Sequence, residues 1–212
     1  QALNERASRD VRVLVVGNPC NTNAYIAMRN APDLKRECFS AMMRLDQNRA
    51  MARVAEKLQA PVSGVEQVFV WGNHSNTMYP DIRFLRYKGH RLADQFDAQW
   101  QEEFIKNVAT RGGQIIKARG ASSAASAASA ALDHMRDWIL GSQGKCCTMA
   151  VPSDGSYGIP EGLVFGFPCL CPGEGRYQII SNMPITQEVR HRLDVTRDEL
   201  LAEANAVADL LP

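Results

Sequence analysis

Val11-Arg12-Val13-Leu14-Val15-Val16, followed at once by Gly17-Asn18-Pro19, decides the fold class. A run this rich in β-branched residues reads as a strand covered on both faces, which is the habit of parallel sheets. Gly17-Asn18-Pro19 stops the strand, and in open α/β sheets ligands sit in the loops at the carboxyl ends of strands. The loop after Val16 is therefore the first place to look for a site. A parallel strand also needs parallel neighbours, and few other stretches of this sequence offer them.

Working outward, residues 2–9 read as a helix entering that strand, and residues 22–29 as a helix leaving it. Residues 33–38 form a turn-rich link after Pro32. Residues 45–58 carry apolar side chains at Leu45, Met51, Ala52, Ala55 and Leu58, close to a period of 3.6, and Pro61 ends the helix they predict. Residues 65–71 read as a strand, as do 84–87 and 88–92 around a turn near Gly89. Residues 96–111 are a charged amphipathic helix that Gly112-Gly113 is expected to break. An Ala/Ser-rich helix follows over 122–140. Residues 147–151, 163–168 and 177–180 predict antiparallel strands with turns at Asp154-Gly155 and Pro172-Gly173. A last helix is expected over 196–211, opened by Thr196 and Glu199 at capping-box spacing.

The chain has 212 residues, enough for one large domain or one and a half. Apolar residues at 45% and charged residues at 22% exclude a disordered, collagen-like or disulfide-stapled chain. Lys and Arg total 24 against 23 Asp and Glu, and a net charge of +1 supplies no global field to draw nucleic acid or an anionic membrane. No window approaches the ~20 apolar residues of a membrane span, and Gln1-Ala2-Leu3-Asn4-Glu5-Arg6 lacks the pattern of a signal peptide. The expected setting is cytoplasmic, with neither nucleic acid nor membrane as partner. Cys20, Cys38, Cys146, Cys147, Cys169 and Cys171 are spaced too closely to staple a scaffold and read as reduced packing residues. Cys169-Leu170-Cys171 lacks the second pair or histidine run of a zinc site, so no metal is expected.

Of His74, His90, His134 and His191, only His74 follows an apolar strand within a small polar loop, Trp71-Gly72-Asn73-His74-Ser75. Such a histidine either ties the loop down or does chemistry, and its partners decide. Imidazole suits a general base near neutral pH, and a neighbouring carboxylate raises its pKa, fixes its tautomer and stabilises the imidazolium. Asp46 is a candidate for that carboxylate. Arg49 falls on the same helix face as Asp46, and a guanidinium there grips a carboxylate with two parallel hydrogen bonds. Alone, an Asp and an Arg three apart are more often a surface ion pair. A Ser/His/Asp hydrolase built from Ser75 or Ser123 with His74 and Asp46 is opposed by the lack of a G-x-S-x-G elbow.

Three segments change the weight of these readings when taken together. Val16-Gly17-Asn18-Pro19-Cys20-Asn21-Thr22-Asn23, Arg44-Leu45-Asp46-Gln47-Asn48-Arg49-Ala50 and Trp71-Gly72-Asn73-His74-Ser75 resemble, in order and spacing, signature segments of cytosolic-type malate dehydrogenases, a branch of the lactate/malate dehydrogenase superfamily. The resemblance runs through essentially the whole chain, including Lys117-Ala118-Arg119-Gly120-Ala121-Ser122-Ser123-Ala124 and Ser153-Asp154-Gly155-Ser156-Tyr157-Gly158. It implies an α/β fold in which residues 1–41 are the remnant of a Rossmann-like parallel sheet of the dinucleotide-binding domain. Residues 42–212 are then the α+β substrate and catalytic domain. It further implies NAD as cofactor, a small dicarboxylate as substrate, a homodimer and a place in the tricarboxylic acid cycle. By the same resemblance His74 is the catalytic base, Asp46 holds it, and Arg49 binds the substrate carboxylate beside the reacting carbon. Asn18 bonds substrate or the nicotinamide side, Val16 and Gly17 line the cofactor with their backbone, and Ser123 stands on the nicotinamide side.

No Gly-x-Gly-x-x-Gly follows a strand anywhere in the sequence, and Gly173-Glu174-Gly175 lacks the third glycine. By the family's pattern, an N-terminal part without counterpart here holds the first mononucleotide half, the acidic residue for the adenosine ribose, and the mobile loop whose arginines select a dicarboxylate. NAD against NADP, and malate against a related 2-hydroxy acid, therefore stay open. On this reading the 212 residues alone turn over negligibly, because hydride transfer needs both reactants held at near contact. The competing reading is a non-catalytic truncated homologue that acts only as an interaction or folding remnant. Quenching of Trp71, Trp100 or Trp138 fluorescence by NADH separates the two.

Overall fold

In a computed structural model that describes residues 1–211, a short helix α1 (Ala2–Arg6) precedes strand β1 (Val13–Val15). Helix α2 (Cys20–Arg29) follows, and buries Ala24 and Met28 against the sheet. Strand β2 (Phe39–Ala41) comes next; its three residues are fully buried, so it shows no alternation for a sequence reading to find. Helix α3 (Arg44–Leu58) turns Leu45, Ala50, Val54 and Ala55 inward and ends at Gln59, whose left-handed backbone (φ 50°) closes the last turn.

The run over 65–71 is not one strand. Gln67, at φ 58°, separates β3 (Val65–Glu66) from β4 (Phe69–Trp71), and the two join different sheets. β4 pairs with β5 (Tyr79–Asp81), and β3 with β6 (Arg86–Tyr87) and then β7 (His90–Arg91). Helix α4 (Ala98–Arg119) runs straight through Gly112-Gly113, correcting the expected break. Each glycine costs a helix about 1 kcal/mol relative to alanine, which weakens it without ending it. Asp97 caps its start by accepting from the Trp100 N–H at 2.8 Å, and Gly120 (φ 70°) closes its end.

Helix α5 (Ala125–Leu140) begins three residues later than expected and buries Ala130, His134 and Trp138. Strands β8 (Cys146–Pro152), β9 (Val164–Gly173) and β10 (Arg176–Ile179) follow, and α6 (Gln187–Ala206) is the last α-helix. The expected start of α6 at Thr196 is corrected: its cap is Thr186, which accepts from the Val189 N–H at 3.3 Å, while Thr196 is buried in the middle of the helix. The domain assignment over 42–212 includes Pro212, which lies outside the described residues.

The main sheet has the order β1-β2-β8-β9-β10. β1 and β2 run parallel, in register from Val13↔Phe39 to Val15↔Ala41. β2 meets β8 antiparallel at Ala41↔Ala150, and the rest of the sheet is antiparallel. β1 is thus a half-buried edge strand rather than one covered on both sides, and Val16 at its end is 43% exposed. The fold class is α/β, with a short parallel part continuing into an antiparallel α+β body. One core forms around α3, β4 and α4 through Val54, Val70, Phe104 and Val108; a second forms where Trp138 and Leu193 meet Met149, Phe165 and Phe167. All six cysteines are free, and all but Cys146 are buried. Among the described residues no His, Cys, Asp and Glu cluster is arranged to hold a metal, and no helix is long and apolar enough to cross a membrane.

Candidate active site

β4 delivers its chain into the loop that carries His74 through Gly72, and two constraints demand glycine there. Its φ is 96°, and a β-carbon would stand 2.3 Å from the Thr196 side chain. Gly72 also exchanges backbone hydrogen bonds with Gly166 of β9 at 3.1 and 2.8 Å. A β-carbon on Gly166 would lie 2.6 Å from Met43 Sδ and 3.0 Å from the Gly72 carbonyl. The histidine loop is thereby pinned to the sheet two residues before His74.

His74 Nδ1 lies 2.5 Å from Asp46 Oδ2. An ionised carboxylate only accepts, so Nδ1 carries the proton and Nε2 is the ring atom left for chemistry. Asp46 is in the first turn of α3 and its side chain is buried. Its other oxygen, Oδ1, takes Arg49 Nη1 at 3.4 Å, and Arg49 Nη2 reaches Ser123 Oγ at 3.1 Å in the link between α4 and α5. Four of the expected site residues, His74, Asp46, Arg49 and Ser123, therefore form one connected chain of contacts. Burial disfavours the His74 imidazolium, but the Asp46 hydrogen bond and charge outweigh burial and the repulsion of Arg49, and the pKa stands above its ordinary value. Burial lowers the pKa of Arg49, Asp46 opposes that, and the charge of Arg111 adds to the lowering; the guanidinium stays charged regardless.

Val16, Gly17 and Asn18 form the exposed turn between β1 and α2. The link from this turn to His74 is Asn21, one residue into α2. Its buried side chain accepts from the His74 backbone N–H at 3.1 Å and donates to the carbonyls of Val164 at 3.0 Å and Gly72 at 3.3 Å. Cys20 beside it is no nucleophile, because burial first and the Asp46 charge second push its thiol up to about 12.

A set of supporting residues escaped the sequence reading. The Asn73 backbone N–H donates to Thr196 Oγ1 at 2.8 Å, and its side-chain amide to Glu199 at 2.9 Å and Glu203 at 2.8 Å. Ser75 and Thr77 also bond Glu199, at 2.5 and 2.6 Å, and Thr22 of α2 bonds Glu203. The available signal is the inward stripe of α6, Val189, Leu193, Thr196, Leu200 and Glu203, where two polar residues interrupt an apolar series. Glu199 is the partner of this loop rather than half of a capping box.

The residues present fit the nicotinamide end of a dinucleotide: an exposed backbone turn at the carboxyl end of a parallel strand, followed by a helix that touches the histidine loop. They include no glycine-rich turn for a pyrophosphate.

The C-terminal α/β domain of lactate/malate dehydrogenases matches residues 43–211 of this chain, and the chain belongs to the lactate/malate dehydrogenase family. Malate dehydrogenase from Naegleria fowleri is 46% identical over 99% of this chain, with a TM-score of 0.94. Trichomonas vaginalis lactate dehydrogenase, solved with NADH and oxamate, is 37% identical over 98% of the chain, with a TM-score of 0.93. Plasmodium falciparum malate dehydrogenase with NADH is 20% identical with a TM-score of 0.88, and shows the shared fold. The chain spans 65% of the length of the first two of these structures.

Proposed function

We propose that the protein is an NAD-dependent malate dehydrogenase, interconverting (S)-malate and NAD with oxaloacetate, NADH and a proton. The observation that carries this reading is the division of one buried carboxylate between a histidine and an arginine: Asp46 holds His74 by one oxygen and Arg49 by the other. That arrangement fixes a proton acceptor and an anion anchor relative to each other, which supplies the positioning that such a reaction needs. Arg49 takes the carboxylate next to the reacting carbon. Neutral His74 accepts the C2 hydroxyl proton at Nε2 as C2 loses its hydride, and the imidazolium is stabilised by Asp46. In the other direction the imidazolium returns that proton to the oxaloacetate carbonyl. NAD, when bound, supplies the hydride acceptor; Val16, Gly17, Asn18 and Ser123 would hold its nicotinamide end, with Asn18 also facing the substrate.

Malate rather than lactate is supported by the higher identity to the Naegleria enzyme, and NAD by the NADH bound in the Trichomonas relative. The division into a cofactor-domain segment over 1–41 and a catalytic segment over 42–212, and a cytoplasmic setting, belong to the same proposal. So does a homodimer, for which the exposed Leu132 and Leu140 on α5 offer an apolar contact. The test is NADH formation with (S)-malate or (S)-lactate. Measured on a chain that also carries the first cofactor-binding half, a rate with malate well above that with lactate supports the reading, equal or faster use of lactate overturns the malate assignment, and no rate with either overturns the dehydrogenase.

A further inference from the structure

A cavity of about 490 Å³ lies between α3 and α4, with Arg49 in its wall. Neither His74, Asp46 nor Ser123 lines it. Arg49, Arg53 and Glu56 reach it from one face of α3, and Asn107, Arg111 and Gln114 from one face of α4. Helical spacing explains the convergence, since residues three, four and seven apart share a face. The cavity holds three guanidinium groups and a single carboxylate. That carboxylate, Glu56, is already paired with Arg53 at 2.6 Å. Asp46, the counter-charge of Arg49, is shared with His74. Arg111 contacts the neutral Gln114 at 3.3 Å, and its charge is felt at Arg49.

We infer that this groove is a second anion site, distinct from the proton-transfer pair, which takes a small multivalent anion between Arg53 and Arg111 with Arg49 at its inner end. Converging guanidinium forks bind carboxylate and phosphate oxygens bidentately, and Asn107 and Gln114 add neutral donors beside them. The ligand class is a polycarboxylate or phosphate-bearing metabolite of two or more negative charges, whose separate oxygens can reach more than one of the three forks at once. An occupant also draws on the guanidinium that anchors substrate, so a polyanion raises the KM for malate. That second effect alone rests on the malate dehydrogenase reading.

The test is calorimetric titration of the protein at low ionic strength with inorganic pyrophosphate and, separately, with propane-1,2,3-tricarboxylate, using acetate as the monovalent control. Saturable binding of either polyanion is expected, at least tenfold tighter than acetate, and weakening with added salt as charge screening requires. The tighter of the two identifies the phosphate or the carboxylate source. The double variant Arg53→Gln, Arg111→Gln should weaken binding at least tenfold with an unchanged circular dichroism spectrum. Glu56→Gln should strengthen it, an outcome that loss of folding cannot imitate. His74→Asn should leave it unaltered, so that failure of the dehydrogenase reading and failure of the anion site are separable. Acetate binding as tightly as both polyanions, or unchanged affinity in the double variant, overturns the inference.

Discussion

Replacing Asp46 by Asn keeps the shape of the side chain and removes its charge. Three influences act on the His74 ring: burial and the Arg49 charge disfavour the imidazolium, while Asp46 favours it by hydrogen bond and by charge. With the carboxylate gone only the two opposing influences remain. The His74 pKa should therefore pass from above 6.5 in the native protein to below 6.5 in D46N. The sign for stability follows from linkage. A raised folded-state pKa contributes stability that is fully present below the unfolded value of 6.5 and is lost as pH rises through the folded pKa. The stability gap between native protein and D46N should consequently be widest in mildly acidic solution and should shrink as pH rises. A hydrogen bond to a charged group contributes about 1.5–3 kcal/mol, which for a chain of this size lowers Tm by about 3–12 °C. The assay is a two-dimensional NMR titration of the His74 ring nitrogens, paired with thermal melts across the same pH range. A His74 pKa that stays above 6.5 in D46N, or a Tm difference that grows as pH rises, would refute the assignment of Asp46 as the group that controls the ring.

Gly166→Ala places a methyl against buried Met43 and the Gly72 backbone; overpacking of this kind costs about 1–3 kcal/mol, read as a lower Tm together with a displaced His74 ring resonance. Arg49→Lys keeps a charge but loses the fork that spans Asp46 and Ser123. The KM for malate should rise about tenfold or more, in line with the worth of a charge-assisted hydrogen bond. His134 is buried against Trp138 with Ser40 Oγ 3.2 Å from Nε2, and burial lowers its pKa to about 3. Because it is neutral when folded and protonates when unfolded, its contribution to stability is present above pH 6.5 and drains away as pH falls toward 3. His134→Gln should flatten the acid limb of a stability–pH curve, whatever its effect at pH 8.

The parts of this fold legible in the sequence are those with a local period. The apolar series of α3 and the run of β8 fall where pattern and turn residues place them, whereas β9 continues past the expected end at 168 through Pro172-Gly173, and the turn comes at Glu174-Gly175. β2 was hidden because three residues buried on every side show no alternation, although it is the parallel partner that β1 requires. Gly112-Gly113 reads as a break only if propensity outweighs packing, and the burial of Phe104 and Val108 holds the helix through its middle. Thr196 and Glu199 illustrate a coincidence of spacing: three residues apart, they mimic a capping box while bonding the histidine loop more than a hundred positions away. The site divides in the same way. Asp46 and Arg49 declare themselves by a helical interval, but their junction with His74 is a tertiary contact that only resemblance to known dehydrogenases anticipated. Asn21 sits among the polar residues of its segment with nothing to single it out, and Glu203 carries no local signature beyond being polar between Ala202 and Ala204.

The decisive measurement is the steady-state rate of malate-dependent NAD reduction by a chain that also carries the first cofactor-binding half and by the same chain with His74→Asn, with NADH affinity measured on both by tryptophan quenching. If the ring takes the proton from the hydroxyl, kcat/KM should drop by about 10²–10⁴, the usual share of a positioned acid–base group, while NADH binds both proteins alike. Undiminished turnover in the substituted protein, with NADH still bound, would contradict the account at its root.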